Sequence, residues 1–399
     1  MPDQNNTWVA RREALMAQWP EALILVRGAS NPNFFYLCGF EEPNAALLLS
    51  PAGVRVGTGR EKIGPDYFSG RQARSALFLP RADAHRARWG DAAETTLESA
   101  DAAAQGVEKL YAIDSLEAWL DGWLRDASQL VLVDAAPPSL TAPIDPLVER
   151  IKARFHSLSI VEGASQLGAQ RQVKDVAEVA TIRQAAAITA DGFAALREQL
   201  AAGVRESALE AALTASYRSA GAVHGFEPIV ASGRNALRLH YRDNSDQLEA
   251  GQLLLVDSGA RFEGYGADVS RTYPIDGTFS PRQRELYSIV LEAQLAAAEA
   301  IRPGVTLGEL HRVAWESIDQ HGLGDAFVHG IGHHLGIETH DAGDVQAPLQ
   351  VGAVITIEPG VYLEDEGIGI RIEDDYLVTE QGSECLTAAI PKSLEELEG

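Results

Sequence analysis

The sequence predicts two domains of different build. An α/β domain occupies residues 1–160, and an α+β domain with an internal pseudo-two-fold repeat occupies residues 165–399. Three observations lead there. Short apolar runs alternate with helical patterns through the first 160 or so residues, the arrangement expected of a sheet with crossover helices. Between Leu158 and Lys174 the pattern changes, and a capping box at Asp175–Glu178 opens a long alanine-rich helix. Beyond it, features recur at an offset of 101 positions: Gly203-Val204 with Gly304-Val305, Leu209 with Leu310, Gly221 with Gly322, and Gly251 with Gly352. A fixed offset of this kind reads as two divergent copies of one unit.

In the first domain, Thr7 is placed to cap a helix running to about Gln18, ended by Pro20. Ala22–Val26, Asn33–Leu37, Ala45–Leu49, Ala76–Leu79, Leu110–Ile113 and Leu130–Val133 read as strands or strand edges. Leu116, Leu120, Trp123 and Leu124 share one helical face. No motif that carries chemistry stands out in this half. In the second domain, helices are predicted from Asp175 to about Leu200, from Glu206 to about Ala220, from the capping box Ser280–Gln283 to about Ile301, and from Thr306 onward.

Composition narrows the class. The chain has 399 residues, 46% of them hydrophobic, and a net charge of -24. Such a balance argues against nucleic acid, which selects basic surfaces, and against an anionic membrane surface. Two widely separated cysteines, Cys38 and Cys385, form no disulfide framework. No apolar run reaches the roughly 18 residues of a membrane helix, and Met1–Thr7 shows no apolar signal segment. A cytoplasmic protein is the simplest expectation.

The chemistry gathers in the repeat. Leu253–Val256 is a four-residue apolar run ending on Asp257, and Asp268 follows eleven positions later. Asp257 falls at the repeat position of Glu358, which ends Val354–Ile357. Glu373 closes Ile368–Ile372, where alternation places Arg371 and Glu373 on one face. His333 lies in the glycine-rich stretch Val328–Gly336. Singly, each has a plain structural reading: a turn aspartate, a solvated strand end, a Glu373–Arg371 pair, a packing histidine. Together they outweigh it, because carboxylates at the ends of buried strands are costly to desolvate and repel one another without a cation. Oxygen donors with one imidazole suit manganese, cobalt or zinc. Four carboxylates exceed the charge of one divalent ion, so two ions sharing bridging carboxylates are expected, at the roughly 3.5–4 Å spacing of dinuclear hydrolases.

These stretches resemble a known family. Residues 165–395 are similar to the pita-bread metallopeptidases, which include Xaa-Pro aminopeptidase, Xaa-Pro dipeptidase and methionine aminopeptidase. The resemblance is carried by LLLVDSGARFEGYGADVSRTYP, HGIGHHLG, ETHD, TIEPGVY and GIRIEDD. The first domain resembles the creatinase/prolidase-type N-terminal domain of the Xaa-Pro branch, in NPNFFYLCGFEEPNAALLLSP and LFLPRADAHRARWGD. The resemblance implies a pita-bread catalytic domain and hydrolysis of Xaa-Pro bonds by a dinuclear centre, manganese first with cobalt or zinc as alternatives. It implies Asp257 as ligand of one ion, Asp268 and Glu373 as bridging ligands, and His333 and Glu358 as ligands of the other, Glu358 also taking a proton from water. It assigns His240 to the substrate side, His340 to the scissile peptide, His329 to the pocket, and Arg371 to the surroundings of the bridging glutamate. Where the Xaa-Pro enzymes are expected to carry a tyrosine, this chain has Phe226, which leaves rate and metal preference open. Dipeptidase (prolidase) action is the reading preferred here, for the short segment between Tyr362 and Arg371. Xaa-Pro aminopeptidase action on longer peptides is the alternative, and a non-catalytic or creatinase-like member is the remote one. The implied partners are small peptides with proline second. The implied assembly is a homodimer or tetramer, with the first domain serving substrate access and oligomer contacts.

Overall fold

The computed structural model describes residues 4–56, 72–90, 93–134 and 145–398. Met1–Asp3 and Asp91, which enter the readings above, lie outside them. The chain divides into two units, Met1–Gln170 and Arg171–Gly399.

In chain order the first unit contains α1 (Gln4–Gln18), β1 (Leu23–Arg27), α2 (Pro32–Cys38), β2 (Ala46–Arg55), β3 (Gln72–Leu79), α3 (Ala84–Trp89), β4 (Lys109–Ala112), α4 (Leu116–Trp123), β5 (Gln129–Val133), α5 (Pro146–Arg154) and β6 (Ser159–Glu162). α6 (Ala164–Gln172) leads into the second unit. The strands form one mixed sheet in the order β4-β3-β2-β1-β5-β6. β1 pairs antiparallel with β2 and parallel with β5. One face is covered by Trp119, Leu120 and Trp123 of α4, packed with Tyr111 and Phe78.

Two expectations are corrected here. The first helix begins at Gln4, upstream of Thr7; a cap-type residue is tolerated in a first turn because backbone N–H groups there have no intrahelical acceptor. Asn33–Leu37, read as a strand edge, is helical within α2. Asn31 caps it by accepting from Asn33 N, Pro32 sits at its first position, and Gly39 ends it at φ 77°. Arg11 and Arg12 donate to the carbonyls of Tyr36 and Leu37. The aromatic run reports burial, and capping decides the backbone.

The second unit runs α7 (Val176–Arg197), α8 (Glu206–Ser219), β7 (Val223–His224), β8 (Ile229–Ser232), β9 (Leu253–Ser258), β10 (Ala260–Phe262), β11 (Tyr265–Gly266), β12 (Val269–Pro274), α9 (Pro281–Glu299), α10 (Leu307–Asp319), β13 (Val354–Ile357), β14 (Gly360–Leu363), β15 (Ile368–Arg371), β16 (Asp374–Thr379), β17 (Gly382–Cys385) and α11 (Leu394–Leu397). Both expected capping boxes form, at Asp175 and Ser280, and Thr306 and Ser393 form two more.

The internal repeat is visible bond by bond. Gly203 N donates to Leu248 O at 2.8 Å, and Gly304 N donates to Leu349 O at 2.8 Å. Leu248 N donates to Val204 O, and Leu349 N to Val305 O. Gly203 and Gly304 have φ of 88° and 92°, and Gly251 and Gly352 have 80° and 91°, conformations that favour glycine. Each half then lays a central strand, β9 or β13, between two neighbours. β9 lies between β8 and β12. β13 lies between β16 and the irregular strand Ile331–Leu335, held by Glu358 N to Ile331 O, Thr356 N to His333 O and Leu335 N to Val354 O. Leu254 and Val256 share one core with Ile355 and Ile357, closed by Leu286, Val290 and Leu310 from the helices. Burying those strands points their polar ends toward one place.

Candidate metal centre

Asp257 is the last but one residue of β9, opposite Ser270 of β12. Asp268 immediately precedes β12, after a hairpin turned at Glu263 and Gly264, both with positive φ. Glu358 follows β13, and Glu373 lies between β15 and β16. His333 stands on the irregular strand beside β13. The two halves are joined where Glu373 N donates to Ser270 O at 3.0 Å and Ser270 Oγ to Glu373 Oε2 at 2.8 Å.

Asp268, His333 and Glu373 bring donor atoms within 4.8 Å of one another. His333 Nε2 is 3.5 Å from Asp268 Oδ2 and 3.6 Å from Glu358 Oε1. Its Nδ1 lies 3.0 Å from His334 O. A carbonyl only accepts, so Nδ1 carries the proton and Nε2 turns a lone pair toward the carboxylates. Burial pushes this imidazole down to about 4, so it is neutral near pH 7 and its contacts with the acids are not ion pairs.

The carboxylates are held against their preference. Burial, then mutual repulsion, raises Asp268 and Glu373 well above the ordinary carboxylate range. Burial, opposed by Arg371, still leaves Glu358 at about 7. Asp257 Oδ1 is buried with no hydrogen-bond partner among the described residues, and a buried acceptor left unsatisfied is costly. A hard cation answers both the orphaned oxygen and the excess of negative charge, so the residues present fit a divalent metal.

Around the cluster, Arg371 donates from Nη2 to Asp257 Oδ2 at 2.5 Å, from Nε to Ser270 Oγ at 2.7 Å, and from Nη1 to Tyr362 OH at 3.0 Å. The anticipated Arg371–Glu373 neighbourhood is therefore relayed through Ser270. Tyr362 OH in turn lies 3.0 Å from His329 Nε2, while His329 Nδ1 lies 2.9 Å from Gly330 O. By the same tautomer argument, the tyrosine donates to His329. The His340 ring stands edge-on to His333, centroids 4.3 Å apart.

A cavity of about 530 Å³ opens onto these groups. It is lined by all of the anticipated residues, Asp257, Asp268, His333, Glu358, Glu373, His240, His340, His329 and Arg371. Phe226, Ile229 and Leu239 form an apolar wall. Tyr362 and Ser270 were not anticipated. Tyr362 was legible only as the last letter of TIEPGVY, and a serine within an apolar strand carries no signal of its own.

Comparison with known proteins accords with this geometry. The profile of metallopeptidase family M24 matches residues 180–380, and that of the aminopeptidase P N-terminal domain matches residues 8–132. The chain belongs to family M24, on a pita-bread catalytic domain. It is 32% identical to the Xaa-Pro aminopeptidase of Haemophilus influenzae, over 92% of this chain and 86% of that one. It is 30% identical to that of Escherichia coli, over 92% and 88%. Among solved structures, Pseudomonas aeruginosa aminopeptidase PepP superposes with a TM-score of 0.86 at 29% identity, covering 100% of this chain and 97% of that chain. Zinc-substituted E. coli aminopeptidase P in complex with product superposes at 0.83 and 28% identity, over 98% and 97%. The protein is an Xaa-Pro metallopeptidase. The relatives are named aminopeptidases, which supports the alternative reading of the sequence better than the preferred dipeptidase. No helix among the described residues is long and apolar enough to cross a membrane.

Proposed function

We propose that the protein is an aminopeptidase P, releasing the N-terminal residue from peptides with proline in second place. The observation that carries this is similarity to Xaa-Pro aminopeptidases through both units, across nearly the whole length of each chain. Asp257, Asp268, His333, Glu358 and Glu373 would hold two divalent cations, manganese first, with cobalt or zinc as alternatives. Bound there, the ions supply Lewis acidity to a peptide carbonyl and lower the pKa of a water.

The remaining work falls to side chains. Glu358 accepts the water's proton. His340 donates to the carbonyl oxygen as it gains negative charge, where a fixed donor contributes most. Arg371 orients Asp257 through its hydrogen bond to Oδ2. His240 lies toward the substrate, and Phe226, Ile229 and Leu239 offer a surface for the pyrrolidine ring. The scissile amide of an Xaa-Pro bond has no N–H, and this arrangement requires none. The proposed assembly is a homodimer or tetramer acting in the cytoplasm, with the first unit serving access and oligomer contacts; sedimentation of the full chain tests the assembly.

The deciding experiment compares an Xaa-Pro dipeptide with an Xaa-Pro-Xaa tripeptide after adding back manganese, cobalt or zinc. Turnover of the tripeptide with release of its first residue is expected. Turnover confined to the dipeptide would restore the prolidase reading. Absence of turnover with every metal would return the non-catalytic one.

A further inference from the structure

Behind His340 lies a buried charge cluster that the reaction as described does not use. Asp341, the next residue, has a side chain only 1% exposed. Lys174 Nζ donates to its Oδ2 at 3.0 Å, and Arg171 Nη2 donates to its Oδ1. The side chains of Lys174 and Arg171 are 1% and 2% exposed. Arg171 also reaches Glu338 Oε2 at 3.0 Å, and Gln172 Nε2 lies 3.2 Å from His334 Nε2. Side chains from one short segment thus grip both ends of the turn His334–Asp341. The turn folds back on itself, with Asp341 N donating to His334 O and Gly336 N to Glu338 O. The grip is close: a Cβ on Gly336 would lie 2.3 Å from Asp341 Oδ2 and 2.9 Å from Lys174 Cε. The segment is anchored to the central strand of the second half, through Lys174 N to Gly352 O and the bridge Val173–Ala353. Strand β13, which Glu358 follows, begins one residue after Ala353.

Two cations on one carboxylate, all three withdrawn from water, cost heavily in desolvation and return little net stability compared with an apolar packing of the same volume. What such a cluster supplies is a single geometry. The residue it fixes adjoins His340, whose ring must stand against His333 and face the cavity.

We infer that Lys174 and Arg171 are positioning residues for the hydrolysis, holding Asp341 and through it the His340 imidazole in register with the metal-binding side chains. The inference rests on the role proposed for His340. Mispositioning of a reacting group by about 1 Å costs on the order of 100-fold in rate, and that is the size of effect to look for.

A double-mutant cycle on tripeptide hydrolysis tests it, with Lys174→Met and His340→Ala made singly and together, and bound metal and melting temperature measured for each. Lys174→Met is expected to lower kcat roughly 10- to 100-fold, with metal content unchanged. In the His340→Ala background the same substitution should change kcat by less than about twofold, because both act through one group. Equal losses in the two backgrounds would make the cluster a general structural support and overturn the inference. So would wild-type kcat in Lys174→Met, or loss of metal from it. Wild-type kcat in His340→Ala alone would instead overturn the role assigned to His340. Should Lys174→Met fail to fold, Asp341→Asn, which keeps the shape and removes the charge, takes its place in the cycle with the same outcomes.

Discussion

Arg371 Nη2 lies 2.5 Å from Asp257 Oδ2, so a guanidinium of the second repeat half holds the first carboxylate of the other. Their side chains are 6% and 14% exposed. Removing one partner of such a pair leaves a buried charge alone, at a cost of about 3–5 kcal/mol. Arg371→Ala is therefore expected to lower the denaturation midpoint of the metal-free protein and to abolish most turnover. Arg371→Lys should not rescue it, because one ammonium cannot serve Asp257, Ser270 and Tyr362 in three fixed directions. Urea denaturation and tripeptide kinetics on both variants check this.

Asp257→Ala or Glu373→Ala should lose both metal and activity, whereas His340→Ala should keep its metal and lose mainly kcat. Metal analysis after dialysis separates the two classes. A Glu373→Ala protein with full metal content would remove Glu373 from the donor set.

Tyr362→Phe deletes a hydroxyl that donates to His329 and accepts from Arg371. A lost hydrogen bond of this kind is worth about 1 kcal/mol, so kcat should fall roughly five- to tenfold with metal retained. The same substitution in a Phe226→Tyr background asks whether a hydroxyl at position 226 compensates.

Acid should reveal the Asp341 cluster. Burial alone would raise this carboxyl, but Lys174 and Arg171 outweigh burial and hold it below its ordinary 3.8. A depressed folded value means that the stabilisation is present in full above 3.8 and is lost as pH falls through the lower folded value. Asp341→Asn should therefore flatten the decline of melting temperature below about pH 4 and lower stability near neutrality. A variant whose decline matches the wild type would contradict this.

Gly332→Ala should damage the centre without touching a ligand. A Cβ there would lie 2.1 Å from Thr356 O, against the strand that pairs with the His333 segment. Overpacking of this kind costs about 1–3 kcal/mol. It is expected to displace His333, and metal titration should show weakened binding before any large loss of helix content.

Much of this was legible from residues alone. Two domains, two capping boxes and the five acid and imidazole residues follow from local patterns, and the 101-position offset from comparing the chain with itself. Strand ends, caps and glycines at positive φ leave marks over a few neighbouring residues. The sequence also placed Asp257 and Glu358 at matching positions of a repeat, which implies a shared cleft before any coordinate is known. It misread Asn33–Leu37, because an apolar aromatic run reports burial and is silent on backbone conformation until Asn31, Pro32 and Gly39 are taken together as caps.

Only the tertiary structure decided what surrounds the cluster. Ser270 relays Arg371 to Glu373, Tyr362 bridges Arg371 to His329, and Lys174 meets Asp341 across 167 positions. These are contacts between distant segments, made by residue types common on any surface, so no spacing announces them. The sequence by itself determined which groups could bind a cation. Folding decided how they are aimed, because orientation comes from hydrogen bonds between segments far apart in the chain, which exist only once those segments are packed together.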